Sequence, residues 1–132
     1  MPERYLDKKV WAVVGATQDE TKFGYKIYKK IKECGYTVYP LSIKYNDIDG
    51  DRAYKNLEEL PEKPDVVNLV VNPEVGMNTL KCMKKLSIKR VWMQPGTDSD
   101  ELLKYAKDND IEVIQACVLV AMCVYRTDKC CI

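Results

Sequence analysis

Short apolar runs rich in valine, isoleucine and tyrosine alternate along the chain with longer segments in which apolar residues recur at helical spacing. Short runs bounded by glycine, proline or asparagine are typical of strands, and runs that are apolar on both faces are typical of a buried parallel sheet. The predicted strands are Val10–Val14, Thr37–Leu41, residues 66–71, Arg90–Met93 and Glu112–Gln115.

Helical patterns occupy most of the intervals between these strands. In the first pattern Phe23, Ile27 and Ile31 share one face, and Gly35 follows where a left-handed cap is favoured. The predicted helices cover about residues 22–34, about 54–60, Pro73–Leu86 and a segment from about 99 onward. Turn-forming residues dominate 46–50, and residues 117–125 fit either a closing helix or a sixth strand.

This alternation of strands and helices predicts an α/β fold. Right-handed crossovers bury a parallel sheet between two layers of helices. We therefore expect a three-layer, Rossmann-like, doubly wound and mainly parallel five-stranded sheet. One domain would span residues 1–132, with a core at about 8–125 and a tail at 126–132. Ligands in this class bind beyond the carboxyl ends of the strands, which directs attention to the loops at 15–24, 40–44, 72–76 and 94–99.

Composition narrows the classes of partner. The formal net charge is +1 and no basic patch stands out, which argues against nucleic acid and against an anionic membrane surface. The first ten residues are charged where a signal peptide requires an apolar run. The longest apolar stretch, 116–125, is about half of the ~20 residues that cross a bilayer. We therefore expect a cytoplasmic protein without a membrane partner.

Histidine is absent, and this excludes a Ser-His-Asp triad, a Cys-His pair and a histidine general base. The six cysteines include no C-x-x-C motif, so no metal site is predicted. Because nothing indicates export and the chain is long enough to build a core, we expect structural or free thiols rather than disulfides.

The loop after the first strand, GATQDETKFG, is suited to a phosphate. Gly15 permits a sharp turn and close approach of a ligand, Thr17 offers a hydroxyl, and Lys22 places a positive charge at a helix N-terminus. The motif is neither the dinucleotide fingerprint nor a P-loop. The simpler interpretation is a tight strand-to-helix turn.

The second strand is followed by Lys44, where an NAD-binding fold would have an acidic residue for the ribose hydroxyls. A lysine there suits a phosphate, although a solvated surface lysine has the same appearance. The loops VVNPEV and MQPGT after the third and fourth strands suit a flat ring or an extended amide chain. Turns of this type also favour proline, glycine and asparagine for purely structural reasons.

Five stretches taken together are more specific than any single loop. They are VWAVVGATQDETKFGYKI, GYTVYPLSIKYNDIDGDRAYKNLEELPEKPDVV, VVNPEV, RVWMQPGT and QACVLV. They resemble the family of small CoA-binding proteins, whose fold is shared with the N-terminal domain of the succinyl-CoA synthetase α subunit. The resemblance covers about residues 8–122 and implies that coenzyme A, or an acyl-CoA, lies across the strand ends.

The matched motifs imply one group of ligand contacts at each strand end. By this resemblance, the phosphates would be contacted by Gly15, Ala16 and Thr17, and the nucleotide end by Pro40 and Lys44. The floor of the site would be lined by Val71, Asn72 and Pro73, and the pantetheine arm would be faced by Gln94, Pro95 and Gly96.

The sequence departs from the family pattern in two places. Leu41-Ser42-Ile43 stands where the family usually has Val-Asn-Pro, and Ala121-Met122 stands where an acidic residue and a histidine are common. The larger ligases of this kind add a nucleotide-grasp domain and a phosphorylated histidine, so we expect binding without catalysis. Cys117 matches the family and is either a structural thiol or a partner for the thiol of CoA.

Two other functions remain open from the sequence. The chain could be a protein-interaction or regulatory module with a vestigial nucleotide site, using 117–125 and its many tyrosines as contact surface. It could also be an NAD- or NADP-binding oxidoreductase, for which no hydride-transfer acid or base is evident. A homo-oligomer or a protein partner is compatible with either.

Overall fold

The computed structural model describes residues 8–94, 97–117 and 119. Its elements, in chain order, are β1 (Val10–Val14), α1 (Phe23–Glu33), β2 (Thr37–Leu41), β3 (Asp47–Ile48), β4 (Asp51–Arg52), a 3₁₀ helix (Leu57–Glu59), β5 (Val66–Leu69), α2 (Pro73–Leu86), β6 (Arg90–Met93), α3 (Asp100–Asp108) and β7 (Glu112–Gln115).

Five of the strands form one sheet in the order β2-β1-β5-β6-β7, and every pairing within it is parallel. The chain leaves β1 for β2 on one side and then crosses to β5 on the other side. The strand order therefore reverses at β1, and a cleft opens beyond the carboxyl ends of β1 and β5. The predicted doubly wound α/β fold is confirmed.

The core lies on both faces of this sheet. On one face α1 packs Ile27 and Ile31 against Trp11 and Trp92, whose ring centroids are 5.8 Å apart. The opposite face is covered by α2 and α3, whose buried side chains include Leu80, Met83, Leu102 and Ala106. Burial of large apolar side chains on both faces explains why the central strands are mainly apolar.

Two predicted elements need correction. The third predicted strand, 66–71, ends at Leu69. The amide of Val70 still donates to the carbonyl of Val14, but the chain must leave the sheet at this point because Asn72 already caps α2. The predicted helix at 54–60 is a bridge between Leu41 and Tyr54 followed by a single 3₁₀ turn. The predicted closing element at 117–125 lies outside the described residues, apart from residues 117 and 119.

The turn-rich segment 46–50 is part of a small antiparallel hairpin, β3–β4. Asp49 and Gly50 have φ values of 53° and 81°, which are in the left-handed region that a tight turn requires. Lys29 and Lys32 of α1 hold Asp49 at 3.0 and 3.1 Å, so the hairpin is fastened to the first helix.

The cysteines also differ from expectation. Cys34, at the C-terminal end of α1, is buried and disulfide-bonded, whereas the sequence predicted thiols throughout. The reason for the error is that pairing depends on which segments meet in space, which the spacing of cysteines does not encode. Cys82 and Cys117 are free thiols, both half-buried. Within the described ranges there is no cluster of metal-ligating side chains, and no helix is long and apolar enough to cross a membrane.

Candidate functional site

The turn after β1 stands at the point where the strand order reverses. Gly15 has a φ of +99°, and a Cβ there would lie 2.3 Å from the carbonyl oxygen of Val70. The amides of Gly15 and Ala16 both donate to the carbonyl of Leu41, at 3.1 and 3.2 Å. This position therefore requires glycine, and the turn ties the ends of β1 and β2 together.

Gly24 brings the first helix directly onto this turn. A Cβ at Gly24 would lie 2.2 Å from the carbonyl oxygen of Gly15, so only glycine allows the approach. As a result the first turn of α1 faces the loop that the sequence marked as a phosphate site.

The N-terminus of α1 differs from those of the other two helices. Asn72 accepts a hydrogen bond from the amide of Val75 at the start of α2, and Ser99 accepts one from Leu102 at the start of α3. Among the described residues no side chain caps α1, its first turn contains no acid, and its N-cap residue is Lys22. The amides of Tyr25 and Lys26 already donate to the carbonyl of Lys22, whereas those of Phe23 and Gly24, with the positive dipole end behind them, are available to an anion.

A polar cavity of about 640 Å³ lies in front of this helix end. Its lining comes from the turn after β1, the start of α1 and the loop after β2, and includes Gly15, Ala16, Thr17, Asp19, Lys22, Lys44 and Tyr45. Thr21 donates to Asp19 through both its amide (3.0 Å) and its hydroxyl (2.6 Å), which lowers the pKa of that carboxyl. Asp19 is therefore a fixed anion that partly offsets the two lysines.

The loop after β2 is held in a defined shape. The hydroxyl of Ser42 accepts hydrogen bonds from the amides of Lys44 and Tyr45, both at 3.1 Å. The ammonium of Lys44 lies 5.3 Å from the centroid of the Tyr45 ring. A hydrogen bond between Tyr45 and Thr17, with the charge of Lys44 as a smaller cause, lowers the pKa of the Tyr45 phenol. These contacts join the two loops around the polar cavity.

A second cavity, of about 420 Å³, opens on the α2 side of the same turn. Its lining is mainly apolar and includes Val14, Leu41, Ile43, Leu57, Val71, Val75 and Cys82. Burial raises the pKa of the Cys82 thiol, which therefore stays protonated at neutral pH. Gly15 and Ser42 line both cavities, so the polar and the apolar space meet at these two residues.

The structure brings six of the predicted site residues to these two cavities. Five line the polar cavity, namely Gly15, Ala16, Thr17, Lys22 and Lys44. Val71 lines the apolar one.

Three other predicted residues serve the scaffold around the cavities. Asn72 caps α2 and Pro73 occupies its first turn. The carbonyl of Pro40 faces away from β1 and accepts from the amide of Tyr54, so proline's missing N–H is tolerated at this edge of the sheet. Pro40 instead lines a separate cavity of about 370 Å³ beside α1.

The predicted pantetheine side is described only at its beginning. Gln94 is buried, and its carbonyl accepts from the amide and the hydroxyl of Thr97, at 3.0 and 2.7 Å. Pro95 and Gly96 lie outside the described residues.

Sequence reasoning missed several residues of the site, among them Asp19, Ile43, Tyr45 and Cys82. Ser42 and Ile43 were visible as departures from the family pattern, and Tyr45 directly follows the lysine already chosen. Cys82 has no signal in the sequence, because its helical spacing is that of an ordinary core position. Gln18 was also passed over, although its side chain reaches the carbonyl of Asp47 at 2.7 Å and links the glycine loop to the hairpin.

Known proteins are similar to this chain in both sequence and fold. Over 87 residues, 64% of this chain, it is 33% identical to the α subunit of the ADP-forming acetate–CoA ligase II of Pyrococcus furiosus, of which the match covers 19%. A conserved hypothetical protein of P. furiosus superimposes with a TM-score of 0.80 at 31% identity, covering 86% of this chain and 98% of that one. A hypothetical protein of Pyrococcus horikoshii reaches 0.89 at 28% identity, covering 94% and 89%.

The chain thus spans about a fifth of the ligase subunit but nearly the whole of the two small proteins. The sequence model of the CoA-binding domain matches residues 9–122, which is most of the chain. The doubly wound sheet and the glycine turn at its switch point agree with this match. Because the match covers most of the chain, the protein belongs to the CoA-binding domain family.

Proposed function

We propose that this protein binds coenzyme A, free or acylated, in the two joined cavities, without catalysing a reaction by itself. One observation carries the proposal. A polar cavity lined by two lysines and an apolar cavity adjoin at Gly15 and Ser42. CoA has the matching chemistry, since charged phosphates connect a flat base to a partly apolar arm.

The diphosphate of CoA would lie in the polar cavity, in front of the turn after β1 and the start of α1. Gly24 lets α1 pack directly against the turn at Gly15, and Lys22 stands at the uncapped helix end. Backbone amides with a helix dipole behind them are a common phosphate site. Thr17 lines the same cavity with a hydroxyl that can donate to a phosphate oxygen.

The 3′-phosphate would be held by Lys44. The loop that carries this lysine is anchored through the hydroxyl of Ser42, and no acidic residue from the described chain forms an ion pair with Lys44. A cation on an anchored loop loses little entropy when it meets a phosphate. This is also the position where an NAD-binding site would require a carboxylate.

The adenine ring would enter the apolar cavity. Its volume of about 420 Å³ falls in the range of small-molecule sites, and its walls are aliphatic side chains from β1, β2 and α2. Val71, the predicted floor residue, is one of these walls. The arm of CoA would then leave toward Gln94, along the carboxyl ends of β5 and β6.

Absence of catalysis is part of the proposal. The chain contains no histidine to carry a phosphoryl group or act as a base near neutral pH. A reaction on the bound thioester would need groups from another chain, and the similarity to a ligase α subunit makes a protein partner a reasonable expectation.

The test is calorimetric titration of the protein with CoA, dephospho-CoA and NAD. We expect CoA to bind tightest and the loss of its 3′-phosphate to weaken binding about tenfold or more, because a charge-assisted hydrogen bond contributes roughly 1.5–3 kcal/mol. Lys44→Glu should weaken CoA binding by a larger factor and remove the preference over dephospho-CoA.

Lys107→Glu is the matched control, since Lys107 is exposed in the last turn of α3, at the opposite edge of the sheet. It should bind CoA as the parent does. Equal affinity of the parent for all three ligands, or unchanged CoA binding by Lys44→Glu, would contradict the proposed site.

A further inference from the structure

Two large hydrophobic side chains are exposed among the residues that the structure describes, and both stand at the candidate site. Phe23 is 59% exposed and lines the polar cavity, whereas Ile43 is 84% exposed and lines the apolar one. A solvated isoleucine forgoes the burial free energy that its side chain would gain in a core. Its position at the rim of an apolar cavity suggests that a ligand supplies the missing cover.

Ile43 is held in this position by the loop around it. The preceding residue, Ser42, donates its amide to the carbonyl of Tyr54 at 2.9 Å and accepts two amides through its hydroxyl. On the other side, the ammonium of Lys55 donates to the carbonyl of Tyr45 at 3.1 Å. The loop is therefore anchored on both sides of Ile43, at Ser42 and at Tyr45, and the exposure of Ile43 is a property of the folded loop.

The other walls of the apolar cavity provide the surface that Ile43 lacks. Leu41 and Leu57 are buried, and Val71 and Val75 belong to the end of the β5 loop and the first turn of α2. A flat ring lying on these aliphatic groups would leave one side facing water, on the side where the loop after β2 rises. A branched side chain at the tip of that loop can cover this side.

We propose that Ile43 determines specificity for the adenosine end of the ligand by covering the face of the bound ring. The inference rests on the proposed CoA site and assigns a role to one exposed residue of its lining. The side chain meets water in the free protein and the ring in the complex. Its contribution therefore appears in binding and not in folding.

Phe23 provides the comparison within the same chain. It is also exposed, but it lies on the polar cavity and its ring already meets the ammonium of Lys26, at 5.9 Å from the centroid. An effect common to any exposed hydrophobic residue near the site would appear at both positions. An effect that acts through contact with the adenine ring of the ligand would appear at Ile43 alone.

The experiment titrates the parent, Ile43→Ser, Ile43→Val and Phe23→Ser with CoA, 3′,5′-ADP and 4′-phosphopantetheine. The second ligand keeps the adenosine end without the arm, and the third keeps the arm without the adenosine. We expect Ile43→Ser to weaken CoA and 3′,5′-ADP about tenfold and to leave 4′-phosphopantetheine within about twofold. Ile43→Val should retain most of the affinity. Phe23→Ser, a change at the polar cavity that would take the phosphates, should show no selective loss of 3′,5′-ADP relative to 4′-phosphopantetheine.

Thermal unfolding of the free proteins completes the test, and Ile43→Ser should melt within about 1 °C of the parent because the residue is already solvated. Unchanged binding of 3′,5′-ADP by Ile43→Ser, while the parent binds CoA, would overturn the role of Ile43 and leave the CoA site intact. An equal loss for 4′-phosphopantetheine would also overturn it. If the parent binds neither CoA nor 3′,5′-ADP, it is the proposed function itself that fails.

Discussion

Asn68 is the polar exception in an otherwise apolar sheet. It lies in β5 between Val13 and Trp92, is fully buried, and finds no partner for its amide nitrogen or oxygen among the described residues. Burying such a group without a hydrogen bond costs free energy that an apolar side chain of similar size avoids. The residue therefore reduces the stability of the fold.

We expect Asn68→Leu to raise the free energy of unfolding by about 1–3 kcal/mol, because it removes two unsatisfied groups and adds apolar burial. Urea denaturation at constant m-value measures the change as a shift of the midpoint. Asn68→Asp, which buries a carboxyl at the same place, should lower stability. A less stable Asn68→Leu would indicate that the native amide has a partner such as a buried water.

At the scale of elements, the β3–β4 hairpin connects the first helix to the ligand loops. Asp49 pairs with Lys29 and Lys32 on α1, and the hairpin carbonyl of Asp47 receives the side chain of Gln18 from the glycine loop. The amide of Ala53 donates to the carbonyl of Asn46, which closes the hairpin directly after the Lys44 loop. The hairpin is thus a support for both loops around the polar cavity.

Removing the charge of Asp49 should loosen this support. Hydrogen bonds from Lys29 and then Lys32 lower the pKa of Asp49 below its ordinary 3.8. Because the folded-state pKa is depressed, the stabilisation is complete above that ordinary value and is lost as the pH falls through the folded-state pKa. Asparagine tolerates the positive φ of this position, so Asp49→Asn isolates the effect of the charge on stability.

For Asp49→Asn at pH 7 we expect a stability loss below about 1 kcal/mol, since the lysines are more than a third exposed, and faster amide exchange over residues 46–54. The stability difference from the parent should disappear at strongly acidic pH. Asp108→Asn, an exposed change at the end of α3, is the control. Exchange over 46–54 as slow as in the parent would contradict a supporting role for the ion pairs.

For the whole molecule, the candidate site gathers residues from β1, α1, β2 and α2. A ligand seated there touches segments distant in sequence, so it stabilises the fold as a unit rather than one loop. The glycine turn contributes to this coupling between segments, because Gly15 packs against the end of β5 and Gly24 brings α1 against Gly15.

CoA at one hundred times its Kd should therefore stabilise the protein by about 2.7 kcal/mol. For a chain of this length that corresponds to a rise in Tm of roughly 10 °C. Thermal unfolding followed by tryptophan fluorescence measures it, with Trp11 and Trp92 buried in the core. At the same CoA concentration Lys44→Glu should show a much smaller rise, and an equal rise in the variant would argue against the lysine contact.

The sequence determined the elements and pointed to several of the residues that line the two cavities, because both rest on local chemistry. Periodicity and turn residues located all five strands of the sheet, and the glycine loop and Lys44 were recognisable from their positions after strands. Each of these features depends on residues close together in the chain, where hydrogen-bonding pattern and side-chain spacing are directly readable.

Only the tertiary structure decided which distant groups meet. It paired Thr17 with Tyr45, bonded Cys34 in a disulfide, brought Cys82 to the apolar cavity, and showed Pro40 turned toward Tyr54. It also joined a polar and an apolar cavity at Gly15 and Ser42, which follow β1 and β2. These are consequences of strand order and of packing between layers, and such long-range contacts leave no periodic trace in a single sequence.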